Sequence, residues 1–584
     1  MTTYHERAAN EIATEHPSRT VTPIMRKLVE DSRAMLRKSP ADARQRAEAA
    51  RAEAIGRLEE LHTQVRANFE RRGIGYHRAN TPADAVRIIR DLLGDAKRVA
   101  KSKSMVGEEV GLTHALRDAG IDLLETDIGE YIVDIEGRGP SHITAPALHL
   151  NRARIREMLA RTGGDLPDDD PVRLSRFVRD VVGRFFQDCD AGITGANAVV
   201  ARSGRVMVVE NEGNVSLGAS HPKLHIVITG LEKVVADEAG ALAILEVLAP
   251  SATAQPLTSF SHFLADPDPG QQRHVVFVDN GRSAIAAGKY HDVLRCIRCG
   301  ACMNACPVYR AAGGLSYGSP YMGPIGAVLS PLLWKDGRYA DLPLASSLCG
   351  RCTEVCPVGI PLHRMLLDLR ADSVRAGQTG SRLERLAWQA WSLAFEGPTR
   401  ARASAALGRI GLNGGRRVFR THGTATDPRV LPAAGVPERD PANLVADARR
   451  PDSVTVIAPD EIEPPDLVDL FRLRAAALGV TLLDHHDPRE GDRVLRATAG
   501  IAATGSVLLT GEAAARRPLL GARRVVVFLD PAALVRYPSG LAPHLGDGDC
   551  LVLTGASRTA DIEKQIVRGI HGSEELAVVL EGAR

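Results

Sequence analysis

Cysteine chemistry dominates this chain of 584 residues, because seven of its nine cysteines fall in two short runs. The first is Cys296-Ile-Arg-Cys299-Gly-Ala-Cys302-Met-Asn-Ala-Cys306-Pro307, and the second is Cys349-Gly-Arg-Cys352-Thr-Glu-Val-Cys356-Pro357. The first has the C-x2-C-x2-C-x3-C-P phasing of a bacterial ferredoxin, in which three thiolates hold one cluster and the fourth crosses to another. Each cubane iron needs a thiolate, and two-residue gaps let three converge from one tight loop. Proline after the last cysteine fixes φ and turns the chain away. The spacing predicts Cys296, Cys299, Cys302 and Cys356 on cluster one, and Cys306, Cys349 and Cys352 on cluster two. Two iron–sulfur clusters of the [4Fe–4S] type, passing single electrons, are the chemistry this implies.

The second run departs from the full pattern, because Ser346 stands where its first cysteine would be. Cluster two is then a [3Fe–4S] cluster, or a [4Fe–4S] cluster with Ser346, water or substrate on one iron. Zinc is the competing reading, but it takes four ligands, often as two CxxC pairs, and does not need this phasing. A disulfide framework belongs to small secreted domains. Cys189 and Cys550 stand alone and read as small buried apolar residues.

Other polar residues offer weaker chemistry. The stretch Asn211-Glu212-Gly213-Asn214 follows an apolar run, where α/β folds place ligands at strand carboxyl ends. It reads equally as a polar turn. His221, Lys223 and His225 alternate, which predicts one strand face able to meet a carboxylate, or simply a solvated face. Lys101 and Lys103 with Ser102 and Ser104 suit an anion near a helix start. Asp127, Glu130 and His142 form a candidate acid/base group, though such carboxylates are commonly surface or capping residues.

The elements that must position these residues alternate in type. Residues 1–75 read as a helical arm, with 41–72 as one long amphipathic helix ended by Gly73 and Gly75. Residues 76–290 alternate helices with short apolar strands, which predicts an α/β domain; a Gly204 hairpin makes its sheet mixed. Residues 291–375 carry the clusters, and 376–452 are a helical stretch and a Pro-rich linker over 421–452. Strands return in 453–584, at Val454, Ser506, Arg524 and Cys550. A weak repeat sets Thr194-Gly195 and the strands after it against Thr504-Gly505 and its strands, which reads as a duplication or as chance. A net charge of +2 gives no reason to expect a nucleic acid, and no apolar run is long enough to span a membrane. The first residues have no signal-peptide core, and unpaired thiols suit a cytoplasmic setting.

Several motifs, in order, carry a resemblance: Lys101-Ser-Lys-Ser-Met, Glu125-Thr-Asp-Ile-Gly-Glu-Tyr-Ile, Pro140-Ser-His-Ile, Val209-Glu-Asn-Glu-Gly-Asn, His221-Pro-Lys-Leu-His, Pro324-Ile-Gly-Ala-Val-Leu and both cysteine runs. With these, residues 1–420 resemble the lactate-utilisation iron–sulfur protein B family. The stretch 453–584 resembles lactate-utilisation protein C in shortened form, through Ala503-Thr-Gly-Ser-Val. The resemblance implies a LUD domain related to the NagB/RpiA/CoA-transferase group. With the rest of the chain it predicts the fold class: α/β, with an all-helical two-cluster ferredoxin domain and a second, reduced LUD-like domain. It also implies a role in oxidising L-lactate to pyruvate with a cysteine-rich partner, the protein A of such systems. No flavin or nicotinamide fingerprint is evident, so the primary oxidation calls for that partner. Two functions stay open: an oxidoreductase subunit passing lactate electrons through two clusters, or a metabolite-binding assembly or redox-sensing module without turnover.

Overall fold

The computed structural model describes residues 2–14, 20–376, 382–397, 399–400, 402–404, 466–486, 489–560, 562 and 566–582. It divides into one unit of Met1–Asp372 with Pro464–Arg584, and a second of Ser373–Glu463. The expected linker over 421–452 and the strand at Val454 lie outside the described residues. In the smaller unit the helix Arg382–Phe395 exposes Trp388 and Trp391, whose rings meet edge to face.

The larger unit begins with helices and then ten strands: β1 (Ile74–Ala79), β2 (Arg98–Lys101), β3 (Asp122–Glu125), β4 (Ala191–Thr194), β5 (Ala198–Val200), β6 (Arg205–Glu210), β7 (Leu224–Gly230), β8 (Val234–Val235), β9 (Phe260–Leu264) and β10 (Gln272–Val278). A parallel sheet runs in the order β1-β10-β7-β4-β2-β3. Its central strands are almost continuously apolar and buried, as a parallel sheet covered on both faces requires. Capped helices connect the strands: Thr81 and Asp84 form a capping box on Pro82–Leu93, and Asp127 caps Ile128–Glu136. From β2 the chain steps outward to β3, then returns past β2 to β4. The point between β2 and β4 is therefore the topological switch, beside which α/β sheets place ligands.

The C-terminal stretch adds β11 (Thr481–Leu483), β12 (Asp492–Arg496), β13 (Ala499–Ile501), β14 (Ser506–Thr510), β15 (Arg524–Leu529), β16 (Leu534–Val535), β17 (Cys550–Leu553), β18 (Arg558–Thr559), β19 (Val567–Arg568) and β20 (Glu575–Leu580). Its parallel sheet, β11-β20-β15-β12, repeats β1-β10-β7-β4 strand for strand. Among the described residues that sheet has no counterparts of β2 and β3, so this copy is reduced there. Strands β17-β14-β13-β16 likewise repeat β9-β6-β5-β8. The two copies meet where β9 pairs antiparallel with β17, which makes one sheet of eight strands in the order β16-β13-β14-β17-β9-β6-β5-β8.

This correspondence corrects the register of the repeat. Thr504-Gly505 lies between β13 and β14, so it matches Ser203-Gly204 between β5 and β6, not Thr194-Gly195 after β4. Both Gly204 and Gly505 have positive φ, and each lets a helix approach closely: a Cβ would lie 3.0 Å from Asn68 at the first and 2.4 Å from Ala475 at the second. The long helix expected over 41–72 is two helices, Ala43–Gly56 and Leu58–Arg71, broken at Arg57 with φ −118°. The helix former that unbroken periodicity needs is replaced at the junction by Gly56. Both helices pack inward: Ala47, Arg51 and Ala54 of the first and Leu61, Val65 and Phe69 of the second are buried.

Residues His291–Arg375 are short helices and turns without strands. Their apolar side chains, including Tyr309, Ile325 and Leu329, share one core with the helices Thr22–Leu36 and Glu238–Thr253 and with Ala499 and Cys550 of the second copy. Among the described residues, no helix is long and apolar enough to cross a membrane.

Candidate functional site

The two cysteine runs fold as matching turns. Arg298 and Gly300 have φ of 62° and 78°, and Leu348 and Gly350 have 55° and 81°. The backbone around the cysteines supplies N–H donors to sulfur. The Arg298 N–H points at Cys296 Sγ, the Tyr309 N–H at Cys306 Sγ and the Ile360 N–H at Cys356 Sγ, each at 3.4 Å. Donors of this kind stabilise sulfur that carries negative charge. At the place matching Cys296, Ser346 accepts from the Leu348 N–H at 3.1 Å. The serine hydroxyl thus occupies the turn position of the missing thiol.

Burial pushes the Cys299 thiol up, and nearby Cys356 and Cys296 push it further. Burial likewise raises Cys302, with Cys296 and Cys299 as its next neighbours. Cys352 is pushed up to about 12, first by burial and then by Cys306 and Cys349. Cys356 of the second run therefore faces the first run, and Cys306 of the first faces the second. Thiols buried together lose this penalty when metal binds them as thiolates. The seven thiols gathered in this region are a donor set that fits iron–sulfur chemistry. Among the described residues no three metal-ligating side chains converge as a single ion would need, whereas a cubane gives each thiolate its own iron. Cys349 is exposed and its six companions are buried. Cys550 is a buried strand residue whose thiol donates to the Leu545 carbonyl, and Cys189 is half-buried.

A cavity of about 1090 Å³ opens at the carboxyl ends of the first parallel sheet. Ser102, Lys103 and Ser104 enter it after β2, and Gly195 and Asn197 after β4, so it lies at the topological switch. Asn211, Glu212 and Asn214 also line it, as do Asp127 and His142. Ile297 and Arg298, between Cys296 and Cys299, form another part of the wall. Arg558 and Thr559 of the second copy complete it.

Most of the predicted polar residues in this cavity are held by structure. Asn211 Oδ1 accepts from the Ser259 N–H, Glu212 accepts from the Ile128 N–H, and Asn214 donates to Thr126 Oγ1. Lys101 is buried against Glu125 at 2.7 Å and Glu108 at 3.4 Å. His142 accepts from the Thr144 N–H through Nδ1 and donates through Nε2 to Asn304 Oδ1 at 2.9 Å, which makes it a neutral joint between the α/β and cysteine regions. Glu130 lies 3.5 Å from Lys103, and burial pushes its carboxyl up to about 8.

His221, Lys223 and His225 do not share a face. His221 ends the helix Asn214–Ser220 and is exposed, Lys223 precedes β7 and is exposed, and only His225 belongs to the strand. His225 is fully buried between Thr194 and Arg273, and burial holds its ring well below the usual histidine range. Alternation carries a facing relation only inside a strand, and Pro222 delays the start of this one.

A buried ion network, unmarked by any motif, joins the cluster loop to the sheet. Arg282 pairs with both oxygens of Glu109 at 2.6 and 2.8 Å and with Glu232 at 2.5 Å. Glu232 also holds Arg298 at 3.0 Å, and Arg298 stacks on Tyr321, whose hydroxyl donates to Glu109. Beside it, Lys233 donates to the Cys296 carbonyl at 3.2 Å. The cluster loop is thereby fixed against the cavity wall.

The 4Fe-4S dicluster domain family matches residues 292–360, which contain all seven clustered cysteines, and the LUD domain family matches 62–278. Lactate utilization protein B 2 of Bacillus mycoides strain KBAB4 is 44% identical over 338 residues, covering 56% of this chain and 71% of that protein. The chain belongs to the lactate utilisation protein B family. Lactate utilization protein B of Bacillus thuringiensis strain Al Hakam and of Bacillus anthracis strain CDC 684 match to the same extent. A crystal structure of a DUF162 family protein from Deinococcus radiodurans is 17% identical, covering 38% of this chain and 98% of its own, with a TM-score of 0.22. In this lactate utilisation protein B family member, the Pro140-Ser-His-Ile motif is a docking segment. Tyr309 donates to the Ser141 carbonyl at 2.7 Å, and a Cβ on Gly314 would lie 1.7 Å from the same oxygen. Neither matched domain reaches the second copy, from which Arg558 comes.

Proposed function

We propose that this chain is the iron–sulfur electron-transfer component of L-lactate oxidation to pyruvate. The cavity binds the small carboxylate, and Cys296, Cys299, Cys302 and Cys356 hold one [4Fe–4S] cluster. Cys306, Cys349 and Cys352 hold the second, with Ser346, water or substrate at its fourth position. When bound, each cluster would take one electron at a time, so two clusters can take the two electrons that lactate gives up on becoming pyruvate, while its two protons leave to solvent. The observation that carries the reading is one cavity lined both by the carboxyl ends of the sheet and by Ile297–Arg298 between two cluster ligands. A ligand there lies against the cluster loop. The relatives named for lactate utilisation supply the substrate. A cysteine-rich, protein A-like subunit is the proposed partner for the primary oxidation, and nine unpaired cysteines suit a cytoplasmic setting.

The test is anaerobic mixing of the purified protein, its protein A-like partner and L-lactate. Loss of visible cluster absorbance together with formation of pyruvate is expected. Tight lactate binding with clusters that stay oxidised would make the chain a binding module instead. Zinc without sulfide would overturn the electron-transfer reading.

A further inference from the structure

We infer that the second, reduced copy completes the cavity by supplying Arg558 as the anchor for a carboxylate. This rests on the reading of the cavity as a small-carboxylate site. Arg558 lies on β18 and lines the cavity with Lys103, Asn211 and Glu212. Arg558 is half-buried as a residue, but its Nε and Nη2 atoms are buried and have no hydrogen-bond partner among the described residues. A guanidinium presents a planar fork of donors that matches a carboxylate. A buried fork left without an acceptor is costly, so the geometry suits an anion that arrives with the ligand. Burial lowers the Arg558 guanidinium, and nearby Arg568 lowers it further, which adds to the same demand.

The second copy is held for this purpose by the very loop whose polar residues looked like ligand groups. The Arg558 N–H donates to the Asn211 carbonyl at 2.8 Å, and the His571 N–H to the Glu212 carbonyl at 2.9 Å. Gly213 between them has φ of 95°, and a Cβ there would lie 2.9 Å from the His571 oxygen. The loop therefore grips β18 through its backbone and leaves the Arg558 side chain to the cavity. Lys103 places a second cation on the same wall: the residue is half-buried, its Nζ is buried with no hydrogen bond among the described residues, and Glu130 is 3.5 Å away. The proposed function sets the ligand class, a monoanionic 2-hydroxy or 2-oxo carboxylate.

The full-length holoprotein is titrated anaerobically by calorimetry with L-lactate, pyruvate and inorganic phosphate, in wild type and in Arg558→Gln, Arg558→Lys, Lys103→Gln and Arg568→Gln. Arg558→Gln is expected to weaken carboxylate binding about 10- to 100-fold, the range of a charge-assisted hydrogen-bonded pair. Arg558→Lys keeps the charge without the fork and is expected to weaken it several-fold, with iron and sulfide content unchanged. Arg568→Gln, which removes only a neighbouring cation, is expected to weaken binding less than Arg558→Gln does. If either Arg558 variant retains its clusters and binds as tightly as wild type while Lys103→Gln loses affinity, the cavity reading stands and the Arg558 anchor is wrong. If wild type binds neither carboxylate, the cavity reading falls and the inference with it. Phosphate binding tighter than either carboxylate would overturn the ligand class.

Discussion

Replacing Glu232 by Gln is expected to detach the cluster loop from the sheet. Burial alone would raise this carboxyl, but Arg282, Arg298 and Lys233 outweigh it and hold it down to about 2. Against an ordinary value of 4.5, that difference is worth roughly 3 kcal/mol to the folded state. A second route agrees: removing one partner of a buried ion pair costs about 3 to 5 kcal/mol, because the remaining charge stays buried. Here two guanidinium groups, Arg282 and Arg298, lose a carboxylate together.

The sign with pH follows from a depressed value. The contribution of Glu232 is fully present above 4.5 and is lost as pH falls toward 2; Lys233 beside it, held down to about 7 by burial, loses its charge as pH rises through 7, so the difference between wild type and Glu232→Gln should be greatest near pH 5 to 6 and shrink toward pH 8. The assay is anaerobic urea unfolding of both holoproteins, followed by cluster absorbance. Adding Arg298→Met to Glu232→Gln should recover part of the loss, since the two substitutions act on one contact. A Glu232→Gln protein within about 0.5 kcal/mol of wild type would refute the network as the tie between loop and sheet.

Three further outcomes follow from the geometry. Cys356→Ser and Cys296→Ser should remove the same EPR signal and Cys306→Ser the other; one shared signal for Cys296 and Cys306 would mean that each run serves its own cluster. Ser346→Cys should raise the iron and sulfide retained after purification in air, because it places a thiol where Ser346 Oγ accepts from the Leu348 N–H; unchanged loss would show that the weak point lies elsewhere, with exposed Cys349 the next suspect. Ending the chain before residue 464 should yield aggregated protein, because β9 is buried at every residue and would become a bare edge; a monodisperse truncated protein would show that the β9–β17 seam is dispensable.

Legibility in the sequence tracked how local each relation is. The cysteine runs were legible because ligand spacing is set within a dozen residues, and the matching turns at Arg298 and Leu348 are built by residues beside the ligands. The alternation of β2, β4 and β7 with helices was legible because burial on both faces leaves apolar runs. Breaks in these local patterns misled: Gly56 divides a helix whose periodicity continues across it, and Pro222 keeps His221 and Lys223 out of β7. The duplication was visible, yet its register slipped by one hairpin, because a Thr-Gly pair recurs at unrelated positions while strand order is a property of the whole sheet.

The cavity was the least legible part, for the same reason carried further. Asn211 and Glu212 caught attention by composition, but their carbonyls hold the second copy and Asn211 Oδ1 is spent on the Ser259 N–H. Arg558 begins the two-residue strand β18 in a stretch without a ligand motif, and only pairing with a loop far away in sequence delivers it to the cavity. Reduction of the second copy points the same way. Among the described residues it has no counterparts of β2 and β3, the strands that deliver Lys103 and Asp127 in the first, but it keeps β17, which forms the seam, and β18, which carries Arg558. A copy kept only for packing would need its sheets. One that also presents a buried cation into its neighbour's cavity has kept a residue that packing alone does not require.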